Sequence, residues 1–337
     1  MKNSNNLFQK SSMHSFVSYC GTKIQRNFIA IAFVCLTGSS TLVHAQQAEI
    51  LEDKSYLKNK EEVAKQRELK MLNLAETQQV SFNSLQHALQ HREKVKMLDL
   101  SNQELTAFPI EILLFKNLET LDLSGNQIKE IPATISTLSN LKILAIENNQ
   151  LKTLPEAISE LQNLERLLIR FNQKDFILPK AIANLKNLKV LHCTHLADLP
   201  NDIFKIKSLE ILKVWHSNID TLPSDVKNLN NLKEICLQNN KLSSLPSELY
   251  SLPVLEYLNL GGNQFNSLPA DINKLKKLDY LGVYDNPIHT LPLESDMFRH
   301  LRFLSIWNTK LAKDFMMDVN SNKKSVTRIY TTTEGLH

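Results

Sequence analysis

The sequence predicts an α/β solenoid, in which tandem units stack with a parallel sheet on the concave side and short helices or 3-10 segments on the convex side. Nine prolines from Pro109 to Pro292 recur at intervals of 23, 23, 24, 21, 23, 23, 23 and 23 residues. Each interval repeats the pattern LxxLxLxxNxLxxLPxxIxxLxN, whose apolar spacing changes from every second to every third residue after the proline. A unit this short cannot bury its own leucines, so the copies must stack to form a core.

Each recurring residue of the unit has a physical role. In Leu121-Asp122-Leu123, the strand period of two buries both leucines on one face and turns Asp122 to the other. The asparagine after the strand is suited to bond buried backbone groups of neighbouring turns, which would form a ladder. The proline fixes φ where no sheet N–H is required, and the I-x-x-L spacing buries one side of a short helical or 3-10 segment.

This pattern resembles the 23-residue class of the leucine-rich-repeat family over residues 95–311. The resemblance implies a leucine-rich-repeat solenoid, a horseshoe with a parallel concave sheet. Ten units, the last of them degenerate, start at Val95, Leu118, Leu141, Leu164, Leu188, Leu209, Leu232, Leu255, Leu278 and Leu301. The lead-in FNSLQHALQHREKVKMLDLSNQELTAFP is similar to the entry of exported leucine-rich-repeat proteins of pathogenic spirochaetes.

Residues 1–45 are interpreted as a signal peptide. They carry four basic residues and no acidic one, followed by the apolar run Phe28–Leu36, which is too short to span a bilayer. Val43-His44-Ala45 offers small residues for cleavage before Gln46. A translation start at Met13 would shorten the long basic region. The alternatives are an uncleaved membrane anchor and a lipoprotein cleaved before Cys35.

The segments that flank the array are expected to close its ends. Residues 46–94 are highly charged with apolar residues at helical spacing, which predicts a helical N-terminal cap. Residues 312–337 lose the LPxxI element and are expected to form a C-terminal cap from a short helix and an edge strand. Neither flank is large enough for a catalytic domain.

The net charge gives no indication of nucleic-acid binding, and the cysteine content excludes a disulfide-stabilised fold. The chain carries a net charge of +4, and removing the leader with its four positive charges leaves 4 − 4 = 0, so the basic isoelectric point does not indicate nucleic-acid binding. Only Cys193 and Cys236 remain after the leader, which is too few for a disulfide framework.

The sequence after the leader contains no nucleophile elbow, no P-loop, no HExxH motif and no paired CxxC motif. We therefore predict no catalytic residues, no metal site and no cofactor. His87 and His91 are one helical turn apart and could share a metal, but without further ligands a solvated helix face is the better interpretation of the spacing.

Function is expected on the exposed face of the sheet, at the third, fifth and seventh positions of each unit, with the eighth at the loop edge. The early units place small or acidic residues there, whereas the later ones place Arg, Tyr and Trp, which anchor protein interfaces. The predicted partner-binding residues are Arg166, Arg170, His192, His195, Lys213, Trp215, His216, Tyr257, Tyr280, Tyr284, Phe303 and Trp307. The alternative is that the aromatic residues only stabilise one another by packing across strands.

Unit five, from Leu188, interrupts the rhythm: it is two residues short, it lacks the asparagine, and it carries His192 and His195. Register places Cys193 in the core. His195 and His216 are expected to be neighbours on adjacent strands, where zinc bridging to a partner is an open alternative. The irregularity is either drift or a loop that re-aims side chains towards a ligand.

These observations predict a non-enzymatic exported protein that binds a protein partner through its concave face. By the spirochaetal resemblance, the partner is expected to be a host cell-surface or extracellular-matrix protein. We expect no nucleic-acid partner and no stable membrane insertion after cleavage, with the protein secreted, on the cell surface or in the periplasm. The alternatives are an intracellular scaffold, if the leader is not a signal, and the substrate-binding arm of a ubiquitin-ligase-like effector. Such effectors need a large cysteine-dependent domain after the repeats.

Overall fold

The computed structural model describes residues 80–292, 300–311 and 328–330, which belong to one unit, Arg67–Gly335. The predicted signal peptide and most of both predicted caps lie outside the described residues. The described strands form one parallel 12-stranded sheet, with neighbours in sequence order. They are β1 Val80–Phe82, β2 Val95–Asp99, β3 Thr120–Asp122, β4 Ile143–Ala145, β5 Arg166–Ile169, β6 Val190–Thr194, β7 Ile211–Trp215, β8 Glu234–Cys236, β9 Tyr257–Asn259, β10 Tyr280–Gly282, β11 Phe303–Ser305 and β12 Arg328–Tyr330.

The segments after the prolines are 3-10 turns, which settles the choice left open between a helix and a 3-10 segment. Proline, at φ values such as −70° for Pro132, is the residue before each segment and supplies the carbonyl that starts it. The segments are Ile110–Leu114, Ala133–Thr137, Glu156–Glu160, Lys180–Asn184, Asn201–Lys205, Ser224–Asn228, Ser247–Ser251 and Ala270–Lys274.

The core lies between the sheet and these 3-10 segments. In unit two the strand residues Leu121 and Leu123 and the turn residues Ile135 and Leu138 are all fully buried. The same positions are filled in the other units, and phenylalanines such as Phe115 and Phe265 occupy the wider gaps. The predicted alternation of the strand is thus confirmed.

The predicted asparagine ladder is also confirmed. The side-chain amide of Asn126 donates to the carbonyls of Leu100 and Leu123 at 2.9 and 2.8 Å, and its oxygen accepts from the backbone N–H groups of Gln103 and Leu105. Each rung thereby satisfies buried backbone groups of two neighbouring units. The equivalent rungs are Asn149, Asn172, Asn240, Asn263 and Asn286.

The described ends of the array differ in part from the expected caps. Within the predicted helical cap, Leu85–Leu89 forms a short helix, α1, but Phe82 lies in strand β1, which pairs with β2. Phe82 is buried under the rings of His87 and His91, whose centroids lie 5.2 and 5.8 Å from it. At the other end, β12 pairs with β11 as the expected edge strand, and the expected helix lies outside the described residues.

In the irregular unit five, apolar packing takes the place of the missing asparagine rung. The ladder position in unit five holds Leu196, which is buried against Phe176 from the loop of unit four. The two loops also form a parallel bridge, in which Phe176 N–H donates to His195 O and Ala197 N–H donates to Phe176 O. In the next unit Ser217 Oγ accepts from Leu196 N–H at 3.0 Å and donates to Trp215 O. Unit four has one extra residue and unit five lacks two, and the repacked loops of these two units accommodate both changes.

Candidate functional site

We call the side of the sheet that carries the third, fifth and seventh positions the sheet face. Pairing of His192 with Lys213, and of Tyr280 with Tyr257 and Phe303, confirms the register on which the site was predicted. The seventh and eighth positions follow the strands directly. The sheet face therefore holds all of the predicted partner-binding residues or, for His195 and His216, has them at its loop edge.

The late aromatic residues are less accessible than the register predicted. Trp215, Tyr280, Tyr284 and Trp307 are only 7, 6, 3 and 8% exposed, so the expectation that these positions of the sheet are exposed is wrong for them. The side chains lie flat on the sheet and cover one another instead.

Two ring stacks account for the burial of Tyr280, Tyr284 and Trp307. Tyr257 and Tyr280 stack with centroids 4.1 Å apart and planes within 8°, and Tyr284 and Trp307 stack at 4.7 Å. Gly261 makes room for the second stack, because a Cβ there would lie 2.1 Å from the Tyr284 ring. The packing proposed as the alternative to an interface role is thus present in units eight to ten, where the rings stabilise each other.

We define the central patch of the predicted site as Arg170, Phe171, His195, Trp215 and His216, all of which except the buried Trp215 are partly exposed. The Arg170 guanidinium lies 5.8 and 5.7 Å from the ring centroids of Phe171 and Trp215. The Phe171 and His195 rings are 6.3 Å apart, and the His195 and His216 rings are 6.1 Å apart with their planes within 23°. The patch joins units four, five and six.

Two basic residues in and beside the central patch, Arg170 and Lys213, are charge-compensated. Arg170 makes two bonds to the Glu147 carboxylate, at 2.5 and 3.0 Å. Lys213 pairs with Glu234 at 2.5 Å, and both side chains are largely buried. The surface is therefore less cationic than its count of Arg and Lys indicated.

The eighth position of every unit has a left-handed backbone, with φ between 49° and 71°. The outer units place residues there that tolerate this conformation, namely Asn102, Gly125, Asn148, Asn239, Gly262, Asp285 and Asn308. The three central units place Phe171, His195 and His216 there instead. A bulky residue such as Phe171 is an outlier in this region. The register alone could have revealed this contrast, but sequence reasoning did not use it.

The two central histidines are held in the neutral state. Burial, followed by the charge of Lys174, lowers the pKa of His195. Burial, followed by repulsion from His195, lowers the pKa of His216 to about 4. His195 Nδ1 lies 3.2 Å from Thr194 Oγ1, and His216 Nε2 lies 3.3 Å from Asn239 Nδ2. No group of three or more metal-ligating side chains occurs among the described residues.

Neither cysteine has the environment of a nucleophile. Cys193 is buried in the core as expected, and burial raises the pKa of its thiol. Cys236 lies on the sheet face but is only 2% exposed, with its thiol 3.5 Å from the Glu234 carboxylate as a donor.

A second pattern that sequence reasoning missed runs along the second position of the units. There the residues alternate in charge from Lys96 to Glu256 and end with Asp279 and Arg302, in the order Lys96, Glu119, Lys142, Glu165, Lys189, Glu210, Lys233, Glu256, Asp279 and Arg302. Glu119 bridges Lys96 and Lys142 at 3.1 and 2.6 Å, and similar pairs recur along the row. Because the row is exposed and internally neutral, we assign it to solubility and register rather than to binding.

Across the described residues, no helix has the length and apolar character needed to cross a membrane. The search of curated proteins found no match. The model of the leucine-rich repeat region matches residues 55–195, and the leucine-rich-repeat model matches residues 207–265 and 230–288.

Among solved structures, a leucine-rich-repeat protein of Leptospira interrogans is 29% identical, covers 76% of each chain and has a TM-score of 0.64. The plant peptide hormone receptor RGFR1, solved in complex with RGF2, is 26% identical with a TM-score of 0.57, and the match covers 75% of this chain and 46% of the receptor. Together with the observed repeat fold, these matches place the chain in the leucine-rich-repeat family, to which it belongs.

Proposed function

We propose that this protein is a non-enzymatic, exported binding module that recognises a protein partner on its sheet face, with the central patch as the main contact. The proposed partner is a host cell-surface or extracellular-matrix protein. One observation carries the proposal: three successive units place Phe171, His195 and His216 at a left-handed position that the other units give to Asn, Gly or Asp.

At Phe171, the left-handed backbone makes the choice of residue unfavourable for folding alone. A left-handed conformation costs about 1 kcal/mol or more for a residue with a bulky side chain. Asparagine would remove most of that cost at Phe171, as it does in the preceding unit at Asn148. Strain concentrated in one place, where it brings rings and a guanidinium together, supports a binding role for the patch.

Buried polar atoms on the same surface support this role. Trp215 Nε1 and Gln238 Oε1 are buried without a hydrogen-bond partner among the described residues. Each such group costs about 1 to 3 kcal/mol. A partner that repacks this part of the sheet face would satisfy them, and Trp and Arg are the residue types that dominate interface energetics.

Two further features support export and a host partner. The leader combines basic residues with the apolar run Phe28–Leu36 and a small-residue cleavage site before Gln46. The chain is also similar to a protein of Leptospira interrogans, and the receptor it resembles was solved with RGF2 bound. Mass spectrometry of the processed protein should therefore find Gln46 at its start, and recovery of the protein in the cytosol with residues 1–45 intact would contradict export.

A capture experiment tests the binding proposal. Chain starting at Gln46 is used as bait for biotinylated host surface and matrix proteins, and the captured partner is then titrated against variants. Trp215→Ala and Arg170→Ala are each expected to weaken binding at least tenfold, which corresponds to about 1.4 kcal/mol.

The matched control is Thr120→Ala, on the same face in unit two, which should bind like the parent. Circular dichroism establishes that each variant is folded. If both central variants are folded and bind like the parent, the central patch is not the contact surface.

A further inference from the structure

We propose that the loop edge of the central patch is a subsite for a carboxylate group of an acidic partner segment, and that His195 and His216 take up protons when it binds. This inference rests on the proposed function and specifies its partner chemistry. The subsite comprises the two imidazoles, Phe171 at one end of their row and Lys174 in the adjoining loop.

The imidazole row is held in place by its neighbours. Thr194 Oγ1 accepts the Phe171 N–H at 2.7 Å and lies 3.2 Å from His195 Nδ1, to which it can donate its hydroxyl hydrogen. The amide of Asn239 donates to His216 Nε2 at 3.3 Å. The neutral His216 ring therefore carries its proton on Nδ1, and that N–H can bind an oxygen acceptor. His195 offers its Nε2–H in the same way when Thr194 donates to its Nδ1.

The charges around the row favour an anion. Lys174 is exposed, and its charge acts on His195. The carboxylates of Glu147 and Glu234 are already bound to Arg170 and Lys213.

The nearest carboxylates along the chain are Asp175, next to Lys174, Asp198, three residues after His195, and Asp220, four residues after His216, and all three are exposed. Burial, Lys174 and His195 are the causes of the two lowered imidazole pKa values, and no carboxylate is among them. A carboxylate from a partner would supply the missing negative charge.

Proton uptake follows from this arrangement. In the unbound protein both imidazoles are neutral at pH 7, since burial and positive neighbours lower their pKa values. A carboxylate brought within hydrogen-bonding distance stabilises the charged form and raises both pKa values. In His216 the added proton occupies Nε2, so the Asn239 side chain turns its Oδ1 towards that nitrogen in place of its N–H. By linkage, the complex binds more protons than the free protein, so affinity must rise as the pH falls.

The test uses the full chain and two blocked peptides, hexaglutamate and hexaglutamine. Isothermal titration calorimetry at constant ionic strength is performed at pH 7.5 and 5.5, in buffers of different ionisation enthalpy that report proton uptake. Hexaglutamate remains largely ionised at both pH values. We expect it to bind at least tenfold tighter at pH 5.5, with net proton uptake, whereas hexaglutamine should show no measurable binding.

The double variant His195→Gln, His216→Asn separates the row from general charge attraction. It is expected to bind hexaglutamate with less than a threefold difference between the two pH values. The single variant Lys174→Gln should weaken binding at both values and retain the pH dependence. NMR titration of the imidazole signals should show both histidine pKa values rising when hexaglutamate is added.

Three outcomes would overturn the inference: no binding of hexaglutamate at either pH, binding without proton uptake, or an unchanged pH dependence in the folded double variant. These outcomes leave the proposed function standing if the captured partner still responds to Trp215→Ala. Capture that is insensitive to both central-patch variants would refute the proposed function instead, whatever hexaglutamate does.

Discussion

All ten units have a left-handed backbone at the eighth position, and the residues found there fall into two groups according to how well they tolerate it. Asparagine, aspartate and glycine adopt positive φ at low cost, and the outer units use them. Phe171 adopts φ of 54° without that advantage. Its ring interacts with Arg170 and His195, so conformational strain and proposed function meet in the same residue.

Replacing Phe171 with asparagine should therefore stabilise the fold and weaken binding. We expect the free energy of unfolding to rise by about 1 kcal/mol, or about 2 to 4 °C in melting temperature, because asparagine relieves the left-handed strain. The reverse change in the preceding unit, Asn148→Phe, should lower stability by a similar amount. Thermal and urea denaturation would measure both. A less stable Phe171→Asn variant would show that ring contacts outweigh the strain.

The residue scale also shows where sequence reasoning reached its limit. The register predicted which side chains share the sheet face, because the strand period of two decides it. It could not predict that Tyr284 lies flat over Gly261, since ring orientation depends on the room that a neighbouring strand leaves. Nor could it show that Arg170 and Lys213 are compensated by Glu147 and Glu234, because those contacts depend on side-chain conformation.

At the scale of the elements, the stack formed by Tyr284 and Trp307 belongs to three neighbouring strand ends, because it rests on Gly261. Tyr284→Ala should lower the free energy of unfolding by about 2 to 3 kcal/mol, since the ring is almost fully buried. Gly261→Ala should also destabilise the parent, because its Cβ would overlap the ring.

Combined with Tyr284→Ala, however, the glycine substitution should cost less than about 0.5 kcal/mol. A double-mutant cycle by chemical denaturation measures this coupling. Additive losses would mean that Gly261 is required by the backbone and not by the ring.

The irregular loop of unit five gives a second test at this scale. If the unit had only lost its asparagine by drift, Leu196→Asn would restore a rung and stabilise the protein. Because Leu196 is buried against Phe176, we expect a loss of about 3 kcal/mol instead. The matched control is Ala197→Asn, at an exposed neighbour, which should change the unfolding midpoint little. A stabilised Leu196→Asn variant would contradict the repacked-loop interpretation.

The elements themselves were largely predictable. Proline position located the 3-10 turns, and the leucine spacing located ten strands, because both patterns recur in register. Strand β1 was not predicted, since Phe82, Leu85 and Leu89 also fit a helical period and only Leu85–Leu89 forms a helix. In a segment so short, pairing with β2 decides the conformation.

At the scale of the whole molecule, ionisable side chains make the stability of the fold depend on pH. His216 has a folded pKa of about 4, below its ordinary value of 6.5, so its contribution is complete above pH 6.5 and is lost as the pH falls towards 4. His195 acts in the same direction. Hydrogen bonding from Lys142 lowers the pKa of Glu119, whose contribution is present above its ordinary value of 4.5 and is lost below it.

We therefore expect the melting temperature to fall between pH 7 and pH 4.5, mainly through the histidines. His216→Asn should reduce this fall, because asparagine tolerates the left-handed backbone and does not titrate. An identical pH profile for His216→Asn and the parent would exclude His216 as a source of the acid sensitivity.

The lengths of the strands have a consequence for how the array opens. β6 and β7 pair through five residues each, whereas pairs such as β3 with β4 and β8 with β9 involve three. In a stacked array, fraying proceeds inward from the ends, and the most persistent hydrogen bonds lie where pairing is longest. Amide deuterium uptake should accordingly be slowest from Val190 to Trp215, and the outer units should exchange first. A force applied through a partner bound at the proposed central patch would then act on β6 and β7, the strands that unfold last.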